Sequence, residues 1–170
     1  MKSVPYLILT ILFVLLIGTN SKAQNKNAQF PPEKFSVVEA KLQNGKPVVG
    51  SVNMAYKNYD KKAQYPWCLT INIALELKNV SKNGLPIKAE SDIANKFEDQ
   101  LLAEIKKLAT AHYIGHLYND SFLDIYIYLD DPKKAANYLQ SQVNKKGITR
   151  GFAYKIEQDP HWSTVQHLLK

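Results

Sequence analysis

The sequence predicts an α+β domain: a ferredoxin-like βαββαβ sheet-and-helix sandwich, preceded by an N-terminal β-hairpin and followed by a short C-terminal helix. Three observations carry that prediction. Leu69, Ile71, Ile73, Leu75 and Leu77 alternate with Thr70, Asn72, Ala74 and Glu76, the pattern of a strand with one buried face. From Glu90 the period becomes helical, with Ile93, Phe97, Leu101, Ile105 and Leu108 on one stripe. Leu123, Ile125, Ile127 and Leu129 then alternate strictly with Asp124, Tyr126 and Tyr128.

The remaining segments fit around these three. Lys2 and an uncharged apolar run from Val4 to Ile17 read as a secretory signal peptide over residues 1–23, too short to span a bilayer as a helix. Small side chains at Ser21 and Ala23 place the cut after Ala23, so the product is expected to be secreted or periplasmic, with no stable membrane anchor. Residues 24–34, with a Pro-Pro pair, read as a flexible leader, and residues 35–170 as a single domain. Phe35 to Leu42 and Pro47 to Tyr56 form a hairpin about Asn44-Gly45, a dipeptide suited to the positive φ angles of tight turns. A polar link, Lys57 to Gln64, leads to the strand that starts at Trp67.

After Asn83-Gly84-Leu85-Pro86 comes the long helix, with Glu90 and Asp92 at its start and Lys106 and Lys107 at its end, as the helix dipole favours. Tyr113 to Tyr118 and Phe122 to Leu129 form an antiparallel hairpin through Asn119-Asp120-Ser121. Asp131 caps a second helix, with Pro132 in its first turn and Ala135, Leu139 and Val143 on its stripe. A last strand, Gly151 to Gln158, precedes Asp159-Pro160, which opens the terminal helix in the same way. The hairpin at the N-terminus either extends the sheet or covers its second face.

Composition excludes several classes. Seven glycines, one cysteine and 45% apolar residues describe an ordinary globular domain, neither collagen-like nor stapled by disulfides. Cys68 is expected to be buried and inert. Without Lys2 and Lys22 the net charge falls from +7 to +5, and Arg150 is the only arginine, so the basic excess implies loose attraction to anionic surfaces rather than phosphate recognition. No P-loop, dinucleotide fingerprint, G-x-S-x-G elbow or H-E-x-x-H occurs, and no cofactor or metal is expected.

The reactive side chains do not converge in sequence. His112 and His116, four apart in a strand, share a face and sit roughly 13 Å apart, too far to chelate one ion. Glu98 and Asp99 face different directions and are expected to be solvated, or Glu98 to meet a lysine. Asp130 and Asp131 read as a cap and its neighbour rather than a calcium corner. Asp159 and His161 offer the alternative function, a hydrolase-like acid–base pair, although Asp159 reads first as a cap and Trp162 as packing. Sequons at Asn79 and Asn119 matter only if the host glycosylates there. Tyr126 and Tyr128 invite comparison with base-stacking RNA-recognition strands, but Asp124 shares their face and the basic RNP1 pattern is missing, so no nucleic-acid partner is expected.

Tyr65-Pro66-Trp67, Asn83-Gly84-Leu85-Pro86, Glu98, Gly115 and Asp159-Pro160-His161-Trp162, in this order and spacing, make residues from about Phe35 to Leu169 resemble the DUF695 family of unknown function. Val165 stands where that family usually has a tyrosine, and its usual terminal proline is absent. The resemblance implies a fold consistent with the one derived above and brings no reaction. It also implies a looser similarity to RraB-like proteins, which bind and inhibit a ribonuclease through protein contacts. The expected function is therefore an exported, non-catalytic binding or interaction module whose partner is a protein or small ligand. Its candidate surface is the second sheet face, with Thr70, Asn72, Asp124, Tyr126 and Tyr128, flanked by Trp67 and Trp162.

Overall fold

The computed structural model describes residues 29–143 and 145–170, so the expected signal peptide and the first part of the leader lie outside the described residues. The elements are β1 (Phe35–Lys41), β2 (Pro47–Asn53), β3 (Trp67–Ala74), α1 (Lys88–Leu108), β4 (Ala111–Asn119), β5 (Phe122–Leu129), α2 (Lys133–Val143) and β6 (Phe152–Gln158). The six strands form one antiparallel sheet in the order β1-β2-β4-β5-β3-β6. Among the described residues, no helix is long and apolar enough to cross a membrane.

The α+β class and the chain order of the elements match the sequence reading. Of the two places left open for the N-terminal hairpin it takes the sheet edge, adding itself to β4 to make six strands. Val48–Val52 of β2 pairs with Asn119–Gly115, and β1 becomes the outer, exposed strand. The hairpin turns where the sequence places it, with Gly45 at φ +79° and its amide donating to the Leu42 carbonyl. Pairing the hairpin to β4 satisfies backbone groups that an open edge would leave to solvent.

Both helices lie on one face, over Leu69, Ile71 and Ile73 of β3 and Leu123, Ile125, Ile127 and Leu129 of β5. The buried stripe of α1 is Ala94, Phe97, Leu101 and Ile105, whereas Ile93, expected on it, is exposed. Two glutamates, Glu90 and Glu98, share the buried side of this helix. Glu90 is fully buried and accepts from Arg150 Nε and Nη2 at 2.7 and 2.8 Å, from Asn79 Nδ2 at 3.1 Å and from the Glu76 amide at 3.0 Å. The single arginine is thus spent on an internal carboxylate, which it holds at about 2, well below its usual range.

The second face is covered over part of its area. Tyr56, Tyr65, Trp162, Val165, Leu168 and Leu169 pack on it against Val48, Val52, Cys68, Ile114, Leu117 and Tyr128 as a second core. The terminal element is shorter than expected, a 3-10 turn at Ser163–Val165, entered through Trp162 at φ +58°. That backbone turn lays the indole flat on Tyr128, ring centroids 4.1 Å apart at 13°, while Nε1 donates to the Lys62 and Tyr65 carbonyls at 3.1 Å each. The described end of the leader is held as well. Lys34 donates its amide to Asn53 Oδ1 at 2.9 Å, and the Tyr59 hydroxyl donates to the Gln29 carbonyl at 2.7 Å.

Candidate functional site

A concavity opens at the end of the sheet where α1 runs into β4. The Thr110 amide donates to Asp130 Oδ1 at 3.0 Å and the Asp130 amide to the Thr110 carbonyl at 3.3 Å, which fixes the corner between the two elements. Across from it lies the segment before β1, carrying Phe30, Pro31 and Glu33. The space between is about 720 Å³, within the range of pockets that enclose small ligands. Phe30, Tyr56 and Tyr113 give it aromatic walls, and Lys106, Lys107 and Asp130 give it charge of both signs.

Tyr113 leads from this cavity to a polar cluster on the helix side of the sheet. Its hydroxyl donates to Glu98 Oε1 at 2.7 Å, and His116 Nδ1 lies 2.7 Å from Glu98 Oε2 and 3.1 Å from the Tyr113 hydroxyl. Burial, and then the Glu98 carboxylate, push the Tyr113 hydroxyl far above its usual range, so it stays a donor. Glu98 is only 4% exposed. The expectation that it is solvated or meets a lysine is therefore corrected: its two oxygens are shared between a tyrosine and a histidine. Such a cluster can hold and pass a proton, and it fixes the ring of Tyr113 at the cavity wall.

The cluster exists because β4 is bulged. Tyr113 pairs with Ile127 but Gly115 with Tyr126, so one extra residue, Ile114, enters between them. Gly115 sits at φ +149°, and a Cβ there would lie 2.1 Å from the Ser51 carbonyl oxygen, so only glycine fits. The slip turns His116 toward the helices while His112 faces the second core. The expectation that both histidines share a face is thus overturned, since their spacing of four no longer preserves the pleat.

His112 is fully buried, with Nδ1 3.1 Å from the Tyr56 hydroxyl. Tyr65 crosses its ring edge-on at 4.0 Å between centroids, and Phe30 packs on it at 4.7 Å. Burial, opposed by the Asp130 carboxylate, lowers the imidazole to about 4 and keeps it neutral. Its Nε2 is the one buried side-chain nitrogen or oxygen among the described residues with no hydrogen-bond partner.

The residues singled out from sequence fall into separate places. Trp67 packs into the helix-side core, on the opposite face from Thr70 and Asn72. Tyr128 and Trp162 are buried against each other, and the Tyr128 hydroxyl donates to Asp159 Oδ2 at 2.6 Å. Thr70, Asn72, Asp124 and Tyr126 remain half-buried on the uncovered part of the second face. There Asn72 Nδ2 donates to Asp124 Oδ1 at 2.5 Å and Asn119 Nδ2 to Asp124 Oδ2 at 2.7 Å. The amides of both sequon asparagines are engaged, Asn119 here and Asn79 on Glu90.

Both aspartates accept amides at the start of a turn or helix, but only Asp131 does so from the cap position; Asp159 stands four residues before the terminal turn, whose cap position is held by Trp162. Asp131 Oδ1 accepts the Lys133 amide at 2.9 Å, and Asp159 accepts the Ser163 and Thr164 amides at 2.8 and 2.9 Å. Burial raises the Asp159 carboxyl, but the Tyr128 hydroxyl and those amides outweigh it and hold it at about 2. With both oxygens committed and His161 exposed, the hydrolase-like alternative gains nothing from the geometry. Cys68 is buried, which pushes its thiol up, away from the reactive thiolate. Among the described residues, no three His, Cys, Asp or Glu side chains are placed to hold a metal ion.

Sequence reasoning missed the cavity, the Glu98 cluster and the His112 enclosure. One signal for them was present: a glycine inside a strand commonly marks a bulge, and Gly115 lies between the two histidines. Compared with known proteins, residues 35–169 match a family described as a family of unknown function, DUF695. No curated protein and no solved structure matches the chain.

Proposed function

The chain belongs to the DUF695 family, whose function is unknown, and from that premise we propose that it is an exported binding module, without catalysis of its own, that takes a small ligand in the cavity at the sheet end. The carrying observation is the cavity itself: about 720 Å³, walled by aromatic rings and edged by charges of both signs. An amphiphilic small molecule fits such a lining better than a purely apolar or purely ionic one. The signal-peptide pattern, with cleavage after Ala23, supports a secreted or periplasmic location. The order β6-β3-β5-β4 within the sheet supports a ferredoxin-like unit to which the hairpin has been added. The looser resemblance to RraB-like proteins points the same way, toward binding.

The test is a small-molecule binding screen run on the protein and on an Ala109→Phe variant, in which the added ring fills the cavity from its rim. Ligands that bind the protein and lose affinity in the folded variant support the reading. A screen whose hits bind both proteins equally, or bind neither, rejects it.

A further inference from the structure

The cavity and the buried imidazole meet at two side chains, Phe30 and Tyr56. Tyr65, Phe30, Tyr59, Tyr56 and Trp162 surround His112, with ring centroids between 4.0 and 6.0 Å away. Tyr56, Tyr65 and Trp162 are buried, and the indole is pinned by two carbonyls. Phe30 differs: it is 42% exposed and belongs to the segment before β1, whereas Tyr56, which lines the cavity with it, is buried. It is the removable wall of an otherwise fixed enclosure.

That enclosure contains an unmet demand. His112 Nε2 has no partner, and a phenyl ring carries no group that supplies a full hydrogen bond. From this juxtaposition we infer that the His112 enclosure is a recognition slot for a phenolic ring, filled in the free protein by the ring of Phe30. The inference rests on the cavity's being a ligand site. A phenol answers the slot in three ways. Its ring replaces the phenyl ring against the imidazole. Its hydroxyl both donates and accepts, so it serves Nε2 whichever tautomer the Tyr56 contact selects. It is also uncharged, which suits a ring held among aromatic side chains and out of water. The phenol comes either from a free small molecule or from a tyrosine side chain.

Because Phe30 competes from within the same chain, removing it raises apparent affinity by the reciprocal of the open fraction. The experiment titrates the protein and its Phe30→Ala variant with p-cresol, toluene and N-acetyltyrosine amide. It follows the ring nitrogens of His112 and the amides of Thr110 and Ala111 by NMR. The expected result is a shift of the His112 Nε2 resonance by p-cresol, with affinity about tenfold higher in Phe30→Ala than in the unaltered protein. Toluene, which lacks the hydroxyl, binds about tenfold more weakly than p-cresol. N-acetyltyrosine amide binding as well as p-cresol identifies a tyrosine side chain as the source, and weaker binding identifies a free phenol. An Nε2 resonance that stays still in both proteins, or toluene binding as tightly as p-cresol, overturns the slot. If Thr110 and Ala111 shift while Nε2 does not, the slot falls and the cavity remains a ligand site. Phe30→Leu, which keeps apolar bulk without the ring, serves as the second variant and is expected to bind p-cresol more tightly than the unaltered protein.

Discussion

His112 and His116 stand four residues apart on β4 and live in opposite surroundings. His112 is sealed among aromatic rings with one nitrogen unpartnered, whereas His116 is partly exposed and hydrogen-bonded to a carboxylate and a phenol. The first is kept neutral by burial; the second belongs to a polar cluster that reaches the cavity wall through Tyr113. The pair shows how a single bulge decides chemistry. One inserted residue rotates everything after it by half a pleat, so a strand can place one histidine in each of two cores.

The largest effect is expected from removing the bulge that creates the difference. Gly115→Ala brings a Cβ to 2.1 Å from the Ser51 carbonyl oxygen and 2.8 Å from Val52 Cα, both backbone atoms that cannot step aside. It should cost at least about 3 kcal/mol, read as a fall in denaturation midpoint or a failure to fold. Unchanged stability would mean that β4 tolerates another register. Next comes the polar partner. Glu98→Ala leaves Tyr113 and His116 without their acceptor and should cost about 2–3 kcal/mol in urea unfolding, whereas Glu98→Gln, which keeps an acceptor, should cost about 1.

Acid sharpens the contrast from the other side. The folded imidazole of His112 lies at about 4 against 6.5 when unfolded, so the unfolded chain takes up its proton first. Stability from this source is complete above pH 6.5 and is lost as pH falls toward 4, on the order of 3 kcal/mol. His112→Phe should flatten the stability profile across that window. Glu90 and Asp159, both held at about 2, lose their contributions only in the more acid range below their usual values. The smallest effect is that of His112→Phe at neutral pH, within about 1 kcal/mol, because the substitution removes an unpaired nitrogen along with one hydrogen bond.

Much of the scaffold was legible where local pattern and tertiary role coincide. The alternation of β3 and β5 names the helix-side core, apart from Leu77, which lies beyond β3 and is exposed, and Asp131 caps where its Asp-Pro pair predicts. The long helix was legible in place but not in phase. Ile93 faces solvent and Glu90 and Glu98 face inward, because each glutamate finds donors on a distant element, Arg150 in one case and β4 in the other. No periodicity encodes such a partner. The second core was hidden for the same reason: Tyr56, Tyr65 and Trp162 come from irregular segments far apart in the chain, and only the fold brings them onto one sheet face. The candidate site inherits that invisibility, being assembled from a helix end, a strand start and the segment before β1.

The tail that covers the second face also divides the molecule into two parts of unequal reach along the chain. Every strand lies before residue 159, and the helix-side core is complete within residues 35–158. The second core is not, because it also needs Trp162, Val165, Leu168 and Leu169. Loss of residues 159–170 would therefore bare Cys68, Ile114 and Tyr128 and open the aromatic enclosure of His112, while leaving the helix-side core its full set of residues.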